Sequence, residues 1–516
     1  MGFVNDGPWA NFETVNCLPF VTPEDFGAVG DGVTDDTNAM KSAANEGGFI
    51  ILKKDSIYKI TSQVSLVSNT TIIGNGATIN SGTSSAFYIA KTEHDIQVFN
   101  LIFTSDFTVG DTTTPSNSCI GIAASNTTEE YEAYNIEIGY CSFTFGVFGI
   151  AGSSVQNLYI HDCEFYGGVY RPDDSAGGYA ILTQSCSNVT IERCYFKLGM
   201  YARHDIYVSV SPTKTDNISS RNYRISNCFS DRSLITDYEN DAFYSSTILS
   251  VAVRSVYNFL LENYRVYNGT GLVNFSTADG PVVNATVRNC VNDTPRLKSS
   301  SVMLSEMRQS FGFMGASGSD VKFEKCVTLN VPINFSDYSV GGGYIEVCDS
   351  TLNARLDVSD CDFLHVHDMF VKGTFLRFTG TGVLHGKFHS LDSDGSYIWG
   401  SATNFDNGAY IDINAYEDKL LGPWAIAASG ALTNINNKLH IAATGAAESN
   451  DNGTIVTLTY SRRPSEITRA MSLTDGGFME VNATTGSLGT NQIRLRKLLL
   501  SNGGAATSRT CRFYLC

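Results

Sequence analysis

A seven-residue phrase recurs along this chain: an Asn or Asp opens it, an aliphatic or aromatic residue stands three places on, and a Cys usually stands six places on. It reads NIEIGYC from Asn135, NLYIHDC from Asn157, NVTIERC from Asn188, NYRISNC from Asn222, NATVRNC from Asn284 and DVKFEKC from Asp320. Looser copies are DIQVFNL from Asp95, NFLLENY from Asn258 and RLDVSDC from Arg355. Start-to-start spacings from Asp95 onward are 40, 22, 31, 34, 36, 26, 36 and 35 residues. A short strand of fixed design joined by connections of variable length predicts a solenoid.

Within each copy the residue at the fourth place and the Cys at the seventh are expected to face one core, with Glu137, His161 and Glu192 facing outward. One such strand cannot bury its apolar side alone. Stacked at ~4.8 Å, equivalent strands turn the Cys positions into a buried ladder and the opening Asn positions into a column of turn residues. A zinc or disulfide scaffold is the rival reading, but Cys141, Cys163, Cys194, Cys228, Cys290, Cys326 and Cys361 come singly and never as CxxC pairs. The total of 13 Cys is odd, which fits reduced buried thiols better than a secreted disulfide framework.

With 42% apolar residues and 47 Gly in 516, the chain can bury a large β core, while few long helical periods exclude a helical solenoid. The first residues lack a basic start and an apolar run, and no stretch approaches the length of a membrane span. These features predict synthesis in a cytosol with no signal peptide and no membrane insertion. A net charge of -17 argues against nucleic acid and anionic membrane as partners. It leaves neutral or zwitterionic ligands open.

In chain order, residues 1–24 form an arm with Trp9, Phe12 and Phe20 as anchors for a partner or a neighbouring subunit. From Asp25 to Gly48 the sequence DFGAVGDGVTDDTNAMKSAANEGG predicts a helix. Thr34, Asp35 and Asp36 supply its N-cap oxygens, Ala39, Met40, Ala43 and Ala44 its apolar face, and Gly47 and Gly48 its end. Such a helix just before a solenoid is the expected cap for its open end. The solenoid is expected over 25–400. From about residue 391 the repeat fades, and ALTNINNKLHIAATG, GTIVTLTYSRR and NQIRLRKLLLSNGG predict antiparallel strands, giving a separate β domain over 401–516 for trimerisation or sugar binding.

The Asp25–Gly48 stretch, followed by IILKKDSIYKITSQVSLVSNTTIIGNGATI, closely resembles the opening of the pectate-lyase-superfamily domain of bacteriophage tailspikes, and DFGAVGDGVTDDTNA is the specific part of the match. The resemblance implies a right-handed parallel β-helix within an all-β fold, assembled as a homotrimer and acting on bacterial surface polysaccharide. It implies a place in the virion tail, with the N-terminal arm meeting the tail or an adaptor protein. It also implies that Asp31, Asp35 and Asp36 are structural, and it calls for no cofactor. Pectin degradation is not implied: the NTD, DD, GHG and RIK set of polygalacturonases is absent as an ordered series, as are the WIDH and RxPxxR stretches of pectate lyases.

Long connections collect on one face of a solenoid and build grooves. Four are expected, at 104–134, 167–187, 197–221 and 230–257. The first is a solvated loop ending in EEYEAY; the second carries Arg171, Asp173 and Asp174 between Gly pairs. The third brings together Arg203, His204 and Tyr207, similar to a stretch of phage spike β-helices. Arg can hold a sugar carboxylate while His or Tyr moves the α-proton in a β-elimination. The alternative pairs His204 with Asp205 or a turn carbonyl.

The fourth connection holds Asp231, Arg232, Asp237, Glu239 and Asp241, with Tyr238, Phe243 and Tyr244 as sugar-stacking faces. If 237–241 is extended, the three acids share one face at ~6.6 Å steps, compatible with an inverting glycosidase, and mutual repulsion supplies one protonated acid. An exposed acidic turn is the structural alternative. Glu306 and Arg308 are expected on the same groove. His365 and His367 share a strand face, but without a fixed third ligand they read as surface or subunit-interface residues, and no metal is expected. The resulting expectation is a depolymerase acting by hydrolysis, with a lyase or a receptor-binding spike without turnover as alternatives.

Overall fold

The structure is a computed structural model. It describes residues 19–106, 117–122, 133–168, 170–171, 176–199, 202–210, 220–234, 249–267, 271–276 and 280–293, and beyond these a series of strands between 311 and 515. Side chains are described largely as far as Asn292 and again at 321–326 and 346–350.

Each turn of the chain lays down three strands, and each strand pairs in parallel with its counterpart one turn on. Ala133–Gly139, Ser142–Phe145 and Phe148–Ser153 are followed by Val155–His161, Glu164–Gly167 and Tyr179–Gln184. Their registers set Ile138 on Ile160, Phe143 on Phe165 and Ile150 on Ile181. This is a right-handed parallel β-helix with three ladders. The chain forms two compact units, 1–206 with 211–218, and 207–210 with 219–516. The second repeats the plan, with Ser220–Ser226, Phe229–Asp231 and Leu249–Val253 followed by Val256–Glu262, Arg265–Tyr267 and Val273–Ser276. Its first ladder continues through Lys387–Tyr410 pairing, somewhat beyond the expected end at 400. Farther on, Thr454–Thr457, Ile467–Ser472, Phe478–Val481, Gln492–Lys497 and Cys511–Leu515 make an antiparallel sheet, the expected C-terminal β region.

The phrase marks the first ladder, and its opening Asn does two jobs. Asp95, Asn135, Asn157 and Asn188 all sit at φ 54° to 58°, the left-handed region that Asn tolerates best after Gly. Their side chains form a chain of amide bonds: Asn135 Nδ2 donates to Asp95 Oδ1 at 2.8 Å, Asn157 to Asn135 Oδ1 at 2.8 Å, and Asn188 to Asn157 Oδ1 at 2.9 Å. In the second unit Asn258 donates to Asn222 and Asn284 to Asn258, both at 2.9 Å. The sixth place is a second left-handed corner that sequence reading missed, occupied by Tyr140, Asp162, Arg193, Asn227, Asn263, Asn289 and Lys325.

That corner explains the Cys. The thiols of Cys141 and Cys163 each donate to the carbonyl two residues back, at 3.2 Å. The thiols of Cys290 and Cys326 do the same at 3.2 and 3.3 Å. A slot expected only to be small and apolar therefore also needs a weak donor. A further copy, YIEVCDS from Tyr344, has Ser350 in that slot, and its hydroxyl donates to Cys348 O at 2.7 Å. RLDVSDC from Arg355 is not a copy: Leu356–Ser359 pairs with Ile333–Phe335 in the third ladder, and Cys361 lies outside the described residues. Beneath the first unit's second ladder, Phe103, Phe143, Phe165 and Phe196 stack face to face at 5.0, 4.8 and 5.1 Å between centroids.

Helix α1, Thr37–Glu46, covers the open end with Ala39, Met40, Ala43 and Ala44 buried, as the sequence predicts. The capping differs in detail. Asp36 stands at the N-cap but its carboxylate does not cap the helix; it accepts from the amides of Val29 at 2.7 Å and Gly30 at 3.1 Å, closing the preceding turn. Asp35 accepts from Thr37 N at 3.0 Å, and Thr34 donates its hydroxyl to Asp31. Backbone amides thus hold Asp31, Asp35 and Asp36, and hydrogen bonding keeps Asp31 and Asp35 below the usual carboxylate range. Among the described residues no helix is long and apolar enough to cross a membrane.

Burial, together with Cys141 and Cys194 on either side, raises the Cys163 thiol far above its ordinary value. The thiols of Cys141, Cys163 and Cys194 should therefore resist an aromatic disulfide reagent in the native protein and react once denaturant unfolds it. Replacing Asn157 by Ala should cost about 1–2 kcal/mol, the price of a left-handed residue with a Cβ, read as a lower denaturant midpoint.

Candidate functional site

The first unit's first ladder carries a linked set of polar side chains on its outer face. The third place of the phrase sets Gln97, Glu137, Tyr159 and Thr190 in one row, and the fifth sets Phe99, Gly139, His161 and Glu192 in the next. Glu137 Oε2 accepts from Gln97 Nε2 at 2.7 Å, and its Oε1 lies 3.1 Å from His161 Nε2. His161 Nδ1 meets Asp162 Oδ2 at 2.8 Å. Arg193 spans Asp162 through Nε and Nη2 at 2.9 and 2.8 Å and also pairs with Glu192, which accepts from the Tyr159 hydroxyl.

His161, expected to face outward, does leave the core, yet it is buried at 5% exposure because rings and a gap enclose it. Tyr159 stacks on it at 4.3 Å and Tyr140 meets it edge-on at 5.2 Å. Gly139 leaves the room: a Cβ there would stand 2.5 Å from His161 Cε1. A neutral imidazole can donate to only one of its two carboxylate neighbours, whereas the charged ring donates to both. Burial works against the Asp162 carboxylate, but the Arg193 and His161 contacts outweigh it and hold the group below the usual range. Burial, with Glu192 accepting its proton, pushes the Tyr159 phenol up. The set offers a rigid row of acceptors, a cation and aromatic faces, chemistry suited to sugar hydroxyls.

The sequence-predicted residues fall in a different place on the coil. In the first unit, His204 opens the strand His204–Ser209, is buried, and stacks on Tyr179 at 5.3 Å with planes 9° apart. Arg203 Nη1 donates to the Tyr179 hydroxyl at 3.1 Å. Asp205 is fully buried as well. In the second unit, Tyr207 lies beneath the guanidinium of Arg254 at 5.9 Å, and Asp231 accepts from Ser233 N at 2.8 Å. Arg232, expected to contact substrate, is fully buried, and its amide donates to Tyr267 O at 2.9 Å. That burial corrects the expectation, because a polymer outside the coil cannot reach its side chain. Asp237, Tyr238, Glu239, Asp241, Tyr244, Glu306 and Arg308 lie outside the described residues.

The four long connections were drawn too long, because each contains a strand of the third ladder that the phrase does not mark: Ser118–Ile122, Tyr179–Gln184, His204–Ser209 and Leu249–Val253. In the sequence, 232–248 and 294–310 each fall after a second-ladder strand, Phe229–Asp231 or Val291–Asp293, and before a third-ladder strand, Leu249–Val253 or Phe311–Met314. The first holds Asp237, Glu239 and Asp241; the second holds Glu306 and Arg308. In the first unit, Arg203 stands directly before the third-ladder strand His204–Ser209. Tyr159 is carried by the outward side of the phrase's alternation, whereas Asp162 and Arg193 stand at its left-handed sixth place, which no residue type marks.

The described strands define a three-ladder parallel β-helix. No family model matches the chain, and no curated protein sequence does. Among solved structures it is similar to the tailspike of E. coli bacteriophage HK620 in complex with a hexasaccharide, at 11% identity over 96% of this chain and 93% of that one, with a TM-score of 0.49. It is similar to PfbA, a surface adhesin of Streptococcus pneumoniae, at 15% identity over 84% and 99%, with a TM-score of 0.48. It is also similar to an exopolygalacturonase from Thermotoga maritima, at 14% identity over 72% and 92%, with a TM-score of 0.39. At these identities the likeness is one of fold.

Asp162 is more acidic folded than unfolded, so its contribution to stability is present above the ordinary Asp value of about 3.9 and lost as pH falls through the lowered value. Asp162→Asn should flatten the acid side of a plot of urea midpoint against pH, below about pH 4. Gly139→Ala should cost about 1–3 kcal/mol through overpacking against His161, seen as a lower melting temperature.

Proposed function

We propose that this chain is a bacteriophage tailspike, a homotrimer in the virion tail that binds a bacterial capsule or O-antigen polysaccharide and cleaves it by glycosidic hydrolysis. The observation that carries the reading is the order of strands along the chain. Segments 232–248, with the densest acids, and 294–310, with Glu306 and Arg308, each fall in sequence between a second- and a third-ladder strand, and long connections at one point of the repeat are how a solenoid builds a groove. The tailspike-like opening DFGAVGDGVTDDTNA supports the assignment of class.

In this reading Asp237, Glu239 and Asp241 include a general acid and a general base for water attack. Arg203, Tyr207, Asp231, Tyr238, Tyr244, Glu306 and Arg308 bind sugar, and His204 is held in reserve as the proton carrier of an elimination. The C-terminal strands serve trimerisation or sugar binding, and the N-terminal arm meets the tail or an adaptor.

Glu239→Gln or Asp241→Asn should preserve trimer, melting behaviour and oligosaccharide binding while lowering the release of reducing ends by at least about 100-fold. If both variants and Asp237→Asn hydrolyse like the parent, the acids are not the site. Products with an ultraviolet-absorbing double bond, abolished by His204→Ala or Tyr207→Phe, would establish elimination instead. Tight binding without any new chain ends would leave a receptor-binding spike.

A further inference from the structure

The first ladder of the second unit carries a cation-rich set on its outer face, unlike the acid-rich row of the first unit. Ser220–Ser226, Val256–Glu262 and Val282–Arg288 lie side by side in parallel, with Ser226, Glu262 and Arg288 in one row and Arg224, Leu260 and Thr286 in the next. The side chain of Glu262 is 8% exposed, and arginines from the strands on either side close on its carboxylate. Arg224 donates through Nε and Nη2 to Oε1 at 3.1 and 2.9 Å, and Arg288 through Nε and Nη2 to Oε2 at 2.9 and 2.6 Å. Burial works against the Glu262 carboxylate, but the Arg288 and Arg224 contacts outweigh it and hold the group below the usual range.

Each guanidinium carries five N–H donors, and only two point at Glu262. Among the described residues neither Arg224 nor Arg288 makes a hydrogen bond to any other side chain, and their side chains are 54% and 41% exposed. One edge of each guanidinium is therefore fixed, and the other, formed by Nη1 and the second hydrogen of Nη2, is left for a ligand. A fixed guanidinium edge is the donor pattern that takes a carboxylate bidentately.

We propose that Arg224 and Arg288 bind carboxylates of an acidic, uronate-type polysaccharide along this face. The inference rests on the reading of the chain as a polysaccharide-binding spike, and it makes the polymer acidic rather than neutral. The two arginines stand on strands two apart, ~9.6 Å across the ladder, so a polymer lying across the strands meets both. Arg221, one residue before Asn222, adds a third cation, over the Tyr257 ring at 5.9 Å. On the far flank Glu324 is in register with Arg288, but Lys322 Nζ meets its carboxylate at 3.2 Å. The local sign matters in a chain of net charge -17, because an acidic polymer is repelled by the chain as a whole and is held where two cations face one buried anion.

The test uses the full chain and reads binding rather than turnover. Oligomers of polygalacturonate, alginate and hyaluronan serve as probes, beside methyl-esterified oligogalacturonate and inorganic phosphate. At least one uronate should bind, the methyl ester should not, and affinity should fall as salt rises. Arg224→Gln and Arg288→Gln should each weaken uronate binding by about 10-fold or more, as loss of a hydrogen bond to a charged group does. Either variant leaves Glu262 one arginine, so the melting temperature should stay close to that of the parent. Lys53→Gln, in the first unit, should leave binding unchanged. No uronate bound at millimolar concentration, or undiminished binding in folded Arg224→Gln and Arg288→Gln, overturns the site. So does phosphate bound as tightly as the oligomers, which marks a free-anion site. Cleavage of a neutral polymer without uronate binding removes this inference and keeps the hydrolase. Uronate binding that is lost with the arginines, in a chain that cleaves nothing, keeps this inference and removes the hydrolase.

Discussion

The fold depends on one constraint: in a parallel coil every strand has a neighbour above and below, so every corner must repeat the same backbone turn on each circuit. Here two corners per turn on the first ladder require a left-handed residue, which costs a residue with a Cβ about 1–2 kcal/mol unless its side chain gives something back. Asn gives back most, because its amide donates to the Asn below and accepts from the Asn above. The strands between corners need only alternate. Their inner row stacks Ile, Val and Phe, and their outer row is left free for charge and aromatic rings.

How much of this was legible follows from where those constraints act. The opening Asn and closing Cys could be read because both are needed on every circuit, by the amide column and by the thiol bond to the carbonyl two residues back. The sixth-place corner was not, because Tyr140, Asp162, Arg193 and Lys325 share nothing but a backbone angle. Third-ladder strands were missed for a similar reason: Ser118–Ile122 and Tyr179–Gln184 have inward Ile residues but no polar marker at their ends. The capping acids were placed rightly as structural residues, but Asp36 serves the turn before the helix rather than the helix itself. Arg232 looked like a surface cation in an acidic loop, and only three-dimensional packing shows that it is inside.

The same separation organises function. Because the rungs carry stability in their inner rows and corner columns, loops of any length can leave between the second and third ladders without disturbing register. In the sequence, Asp237, Glu239 and Asp241 fall between two such strands, Phe229–Asp231 and Leu249–Val253. On the opposite sequence logic, the rigid outer row around His161 cannot move, since Glu137, Asp162 and Arg193 fix each other and Gly139 fixes the ring.

The amide column also has a direction, and direction matters for how such a protein ages. Every Asn within it must donate toward the N-terminal side and accept from the C-terminal side. Asp95 can occupy the first place because that position only accepts, whereas the next phrase opener after Asn284 is Asp320, whose carboxylate has no hydrogen to donate. Slow conversion of an internal Asn to Asp, the commonest chemical change in old protein, would remove the donor and set two carbonyl-type oxygens against each other. Harmless only at the accepting end that Asp95 already fills, that exchange would cut the column at any Asn that donates.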